Sequence, residues 1–164
     1  MNLIALAALA AAGSAQAQAP AFPPLVAAYA RQLAEQCGPL PAGAATPALV
    51  DRVDLNGDGV IDWIVDAGRY PCPGRPAVAV AAGSQVTVFK GEKGGGAVPA
   101  FQRAAFGSRL QRLPDGALSL VMTLGGSDCG SADRQARCER RLVWRAGEGR
   151  FDAASIGPAA RAAP

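Results

Sequence analysis

The sequence predicts an α+β fold, mostly an antiparallel β meander with one N-terminal helix, in a single domain. Three observations predict it. One segment near the N-terminus has helical spacing of its apolar residues, and the segments after it are short, β-branched or alternating. The 20 Gly and 13 Pro punctuate those segments and argue against a helical bundle. The chain has 164 residues, 50% hydrophobic and 18% charged, too few for two well-buried domains and too apolar for disorder.

Residues 1–17 read as a secretory signal peptide: an uninterrupted apolar, alanine-rich run over 3–12, then small residues. Cleavage is expected after Ala17, because the competing Ala17-Gln18-Ala19 register places Pro20 directly after the cut. The segment departs from the pattern in lacking a Lys or Arg before the apolar run. That run is well short of the roughly 20 residues a membrane span needs, so export to the periplasm or the extracellular space is expected, with no membrane span.

Residues 18–47 hold the helix and a connector. Phe22-Pro23-Pro24 introduces Leu25, Val26, Ala28, Tyr29, Leu33 and Cys37 on one helical face; Pro24 suits the first turn and Gly38-Pro39 ends it. A Pro/Gly/Ala connector covers 40–47. Residues 48–156 form the β-rich part, with strands expected at 49–55, 60–66, 77–82, 85–90, 100–106, 117–124 and 140–145. Between them lie Gly83-Ser84, Gly94-Gly95-Gly96, Pro114-Asp115-Gly116 and Gly147-Glu148-Gly149, all good turn chemistry. The Ala/Pro-rich 157–164 is expected to be a frayed tail.

The chain contains no histidine, which excludes a Ser-His-Asp triad, a Cys-His pair and the usual histidine-bearing zinc sites. Cys37, Cys72, Cys129 and Cys138 lack C-x-x-C spacing and, in an exported chain, read as two disulfides. Three connectivities are possible; proximity favours Cys129 with Cys138 and Cys37 with Cys72.

The chemistry-bearing stretch is Asp54-Leu55-Asn56-Gly57-Asp58-Gly59-Val60-Ile61-Asp62. Side-chain oxygens at loop positions 1, 3 and 5, glycine at 6, a main-chain carbonyl at 7 and a carboxylate at 9 are what Ca²⁺ asks of a short loop. Asp54, Asn56, Asp58 and Asp62 supply side-chain oxygens, Asp62 by way of a water, and Val60 its carbonyl. A hard oxygen set without sulfur or imidazole favours Ca²⁺ over zinc or copper. Residues 51–66 also concentrate five acids (Asp51, Asp54, Asp58, Asp62, Asp66) against one base, Arg52, a cluster that repels itself unless a cation occupies it. The competing reading is a hairpin turn, since Asn56-Gly57 between β-branched runs is itself a strong turn signal.

With Trp63-Ile64-Val65-Asp66-Ala67-Gly68 after it, this loop resembles the calcium loop of an FG-GAP blade, and it is similar to the loops of EF-hands and dockerins. An EF-hand would carry a bidentate Glu at position 12, here Val65, between helical flanks; these flanks favour strands. The resemblance therefore implies ion binding by the matching residues and not a propeller. More broadly the chain resembles small exported proteobacterial proteins of unknown function that combine Asp-Leu-Asn-Gly-Asp-Gly with a downstream Ser-x-Cys-Gly, here Ser127-Asp128-Cys129-Gly130. That likeness implies no activity.

The remaining features read as structural. Arg134, Arg137, Arg140, Arg141 and Arg145 make the C-terminal third basic, but Asp133, Glu139 and Glu148 dilute it and no nucleic-acid role is expected. Trp63 and Trp144 sit in strands and are expected in the core rather than in a glycan or peptide contact. Gly125-Gly126-Ser127-Asp128-Cys129-Gly130 does not match G-x-S-x-G and reads as a disulfide-pinned turn. The expectation is an exported, monomeric, non-enzymatic calcium-binding domain that engages an unknown protein or glycan. The alternative is a carboxylate- or metal-dependent hydrolase acting on cell-wall or extracellular substrate, using paired carboxylates such as Asp128 and Asp133 or carboxylates beside the metal.

Overall fold

A computed structural model describes residues 22–37, 50–70 and 83–156 of the chain. One helix, α1 (Pro24–Cys37), precedes eight strands: β1 (Val50–Val53), β2 (Asp62–Asp66), β3 (Ser84–Gly91), β4 (Ala97–Ala105), β5 (Gly107–Arg112), β6 (Leu118–Gly125), β7 (Arg137–Arg145) and β8 (Arg150–Ser155). They form two four-stranded antiparallel sheets, β1-β2-β3-β4 and β5-β6-β7-β8, each a meander in chain order. The α+β, mostly antiparallel reading holds.

Three layers result, because β2 and β3 are apolar on both faces. Ile64, Val86 and Val88 meet Leu120, Met122, Leu124, Leu142 and Phe151 of the second sheet in the main core. Trp63, Val65 and Phe89, which alternate with them, face α1 and pack on Val26, with Tyr29, Leu33 and Ala34 at the margin. Tyr29 stands edge-on to Phe89 with centroids 5.5 Å apart, and its hydroxyl lies 3.0 Å from Thr87 Oγ1. All five residues of β2 are buried, including the aspartates at its two ends. The chain changes sheets at Phe106, whose N–H donates to Thr123 O at 2.8 Å and whose ring carries the Arg137 guanidinium 3.6 Å above it.

The helix begins at Pro24, as the fixed φ of proline at a first turn requires. The runs at 49–55, 60–66, 85–90, 100–106, 117–124 and 140–145 correspond to β1, β2, β3, β4, β6 and β7. β4 starts earlier than expected and contains Pro99, which is tolerated because β4 is an edge strand with a register shift at Val88/Phe89 opposite it. β5 and β8 were not expected: Gly-Ser-Arg-Leu-Gln-Arg gives the core only Leu110, and β8 has one fully buried apolar residue, Phe151. The leader at 1–17, the connector at 40–47, the expected strand at 77–82 and the tail at 157–164 lie outside the described residues, as does Cys72 and with it the Cys37–Cys72 pairing. No helix among the described residues is long and apolar enough to cross a membrane.

Cys129 and Cys138 are joined, with Cα atoms 5.6 Å apart and a sequence separation of nine, and both pack against the main core. The bond closes the segment between a 3-10 turn, Gly126–Cys129, and the start of β7. Of the two tryptophans expected in the core, Trp63 is buried beneath α1, whereas Trp144 is half-buried at the margin of the main core, its ring 4.8 Å from that of Phe151. Replacing both Cys129 and Cys138 by serine is expected to cost about 2.5 kcal/mol, the loop-closure entropy of a ten-residue ring. Chemical denaturation of the two proteins measures it.

Candidate metal centre

The nine residues from Asp54 to Asp62 leave β1 at Val53 and re-enter the sheet at Asp62, which pairs with Val53. Gly57 and Gly59 have φ of +75° and +80°, a left-handed backbone that glycine adopts without strain. The Asp54 carboxylate is the hub of the turn, accepting from Gly57 N at 2.7 Å and from Gly59 N at 2.9 Å. Asn56 Oδ1 accepts from Asp58 N at 3.1 Å, and Asp58 Oδ1 accepts from Val60 N at 2.8 Å. Asn56 Nδ2 donates to Asp58 Oδ2 at 2.9 Å. Each acidic or amide side chain thus holds an amide two to five residues ahead, and the chain winds around its own oxygens.

Asp62 is placed differently. It is fully buried, with Oδ2 accepting from Leu55 N and Oδ1 from Gly91 N, both at 2.9 Å. Its carboxylate joins the loop to the root of the β3–β4 hairpin. Gly91 is a glycine by necessity, since a Cβ there would lie 2.1 Å from Ile61 O.

The structure therefore brings Asp54, Asn56, Asp58 and Val60 together in one turn and sets Asp62 beneath it. Among the described residues no three acidic, histidine or cysteine side chains converge on one point. The acceptors of the turn's side chains are all oxygens, and a carboxylate oxygen that accepts one N–H keeps a second lone pair.

The surrounding charge is less lopsided than residues 51–66 suggest. Asp51 pairs with Arg69 at 2.7 Å, and Asp66 accepts from Gly68 N at 2.8 Å, Ser84 Oγ at 3.2 Å and Ser108 Oγ at 2.5 Å, with Arg69 Nε 3.9 Å away. Two of the five acids are thereby satisfied by groups outside that stretch. Asp58 is held below the ordinary aspartate range, first by the Val60 amide, then by Asn56, with Lys90 and Lys93 adding to the effect. Burial pushes Asp62 up, against the pull of the Gly91 and Leu55 amides, and the charges of Asp58 and Asp54 reinforce the rise.

Beside the loop lies a cleft of about 350 Å³, walled by residues 59–61 on one side and the 92–96 turn on the other, with Pro23 and Trp63 also lining it. Sequence reasoning missed the part played by Gly91 and this turn; the three consecutive glycines at 94–96 were read only as a break between strands. Asp128 pairs with Arg103 at 2.7 Å, and Asp133 accepts from Gln135 N at 2.8 Å in its own turn. Neither lines this cleft or the groove between α1 and β4. The basic C-terminal third is largely tied down: Arg140 donates to Ser155 and to Asp128 O, Arg145 meets Asp152, and Arg137 covers Phe106. Comparison of the chain with known protein families, with curated proteins and with solved structures finds no match.

Asp62→Asn keeps the shape of the side chain but can accept from only one of the Leu55 and Gly91 amides, and an unsatisfied buried amide costs about 1–3 kcal/mol. Because the folded-state pKa of Asp62 is raised, the wild type carries the penalty of a buried charge only as pH rises through that value. The cost of the substitution is therefore expected to be larger near pH 3 than at neutrality, measured by denaturation at both. A cost that grows with pH would contradict the sign.

Proposed function

We propose that this chain is an exported, non-enzymatic calcium-binding domain whose ion is structural and which acts as a binding module toward a protein or glycan. The observation that carries the reading is the hub at Asp54: one carboxylate holds the amides of Gly57 and Gly59 and winds 54–59 into a turn whose side-chain donors are all hard oxygens. Asp54, Asn56, Asp58 and Val60 are the ligands, and Asp62, held beneath the turn, acts through a water. Four direct donors without a bidentate Glu suit an affinity of roughly 10⁻⁴ to 10⁻³ M, the range of extracellular modules. A bond between Cys129 and Cys138 supports an oxidising compartment.

Asp54 and Asp58 have no side-chain cation within salt-bridge distance among the described residues, whereas Asp51, Asp66 and Asp128 each do. Asp128 and Asp133, the paired carboxylates of the hydrolase reading, meet Arg103 and Gln135 N respectively and line neither of the two clefts described above.

Calorimetric titration of the full chain with CaCl2 tests the proposal. Saturable one-to-one binding in the submillimolar to millimolar range is expected, with a matching rise in melting temperature that chelator reverses. Asp58→Ala is expected to weaken binding at least tenfold, about 1.4 kcal/mol, while leaving the metal-free fold intact, since Asp58 is exposed. Identical melts in calcium and in chelator would reduce the loop to a hairpin turn.

A further inference from the structure

We infer that the outer face of the β5–β8 sheet, centred on Arg141, binds an anionic polysaccharide through its carboxylate groups. The inference deepens the binding-module reading above by naming the partner, and it requires no ion. Alternation along the strands sends the apolar residues of this sheet into the main core and leaves Arg109, Val121, Arg141, Val143, Arg145 and Asp152 on the opposite face. The first sheet carries α1 on its outer face, whereas no described element packs on this one. Residues 103–156 hold nine arginines against six acids, so the field here is net positive. The acids on the face are committed to its other arginines. Arg109 donates from two nitrogens to the two oxygens of Glu139. Asp152 is shared by Arg145 at 3.5 Å and Arg150 at 3.4 Å, and Arg150 also meets Glu148 at 2.7 Å. Arg141 is the exception: among the described residues it has no carboxylate within salt-bridge distance, and its buried Nε has no hydrogen-bond acceptor. It stands in the row Arg109, Val121, Arg141, Ala154 across the four strands, and Val121 is fully buried between the two arginines. No group of the fold neutralises this guanidinium, which leaves its charge to an acceptor from outside.

The form of the face selects the partner. Neither of the clefts described above opens on it. Protein partners are anchored by aromatic side chains seated in pockets, and single-stranded nucleic acid by stacking on aromatic rings. The rings of this sheet, Trp144 and Phe151, face the core instead. Recognition here is therefore of repeated charge along a flat surface. Arg141 and Arg145 lie four residues apart on one side of β7, about 13 Å along the strand, which suits successive charges of a polymer better than one small anion. The planar arginine fork matches both oxygens of a carboxylate, so a uronate-bearing chain fits best.

Calorimetry of the full chain with soluble polygalacturonate, in chelator and at low and high salt, tests the inference. Saturable binding that weakens as salt rises is expected, with none to neutral dextran. Arg141→Gln keeps the stem beside Val121 and removes the fork, and should weaken binding at least about tenfold, the loss of one charge-assisted pair. Arg31→Gln, an equal loss of charge at an exposed position of α1, should leave binding unchanged. On the wild type, polygalacturonate should shield Arg141 and Arg145 from phenylglyoxal while Arg31 stays reactive, which decides the question if Arg141→Gln does not fold. No binding, an equal loss in Arg31→Gln, or equal shielding of Arg31 overturns the site. Tighter binding of duplex DNA or of polyglutamate at the same charge concentration overturns the choice of a polysaccharide. Because chelator is present throughout, failure here leaves the calcium titration to stand or fall by itself.

Discussion

A carboxylate with no solvent exposure, Asp62, takes the backbone amides of Leu55 and Gly91, and the geometry around the candidate site follows from it. Burying a carboxylate is unfavourable unless its oxygens find donors, so the turn before β2 and the root of the next hairpin are both drawn to it. Gly91 is the only residue type that lets the two backbones come this close. The turn at 54–61 consequently stands on a fixed base, not on a flexible pair of strands.

Asp66 plays the matching part at the other end of β2. It caps the 3-10 turn Ala67–Arg69 through Gly68 N and accepts from Ser84 of β3 and Ser108 of β5, so it reaches across from the first sheet to the second. Between the two aspartates Ile64 enters the main core, while Trp63 and Val65 face the helix. A five-residue strand thus carries the apolar contacts of both layers and is pinned at each end by a buried acid. Charge at 51–66 is accordingly divided: the β2 aspartates and Asp51 hold the fold, and Asp54 and Asp58 hold the turn.

Much of this was legible in the sequence because local physics decided it. Pro24 followed by a helical stripe gives α1, and short β-branched or alternating runs give β1, β2, β3, β4, β6 and β7. β5 and β8 escaped notice because edge strands at the sheet margin bury few side chains, and alternation is the only signal periodicity offers. The oxygen spacing of Asp54, Asn56, Asp58 and Asp62 was visible, but spacing does not distinguish a carboxylate turned toward an ion from one turned toward a backbone amide in another hairpin. Gly91 lies 29 residues from Asp62, and nothing local marks the pair. The Arg69 that neutralises Asp51 lies just outside the acidic stretch, which is why that stretch looked more repulsive in sequence than it is in the fold.

The central claim is that a hard divalent cation sits in the turn built on Asp54, next to Trp63. Terbium substitutes for calcium at oxygen sites, and its emission is sensitised by a nearby indole, so tryptophan-excited terbium luminescence reports occupancy at this place. Saturable emission that calcium displaces, that survives Trp144→Phe and that is lost in Trp63→Phe and in Asp54→Ala is the predicted result. Emission that never rises above that of free terbium, or that is unchanged in Asp54→Ala, would contradict it.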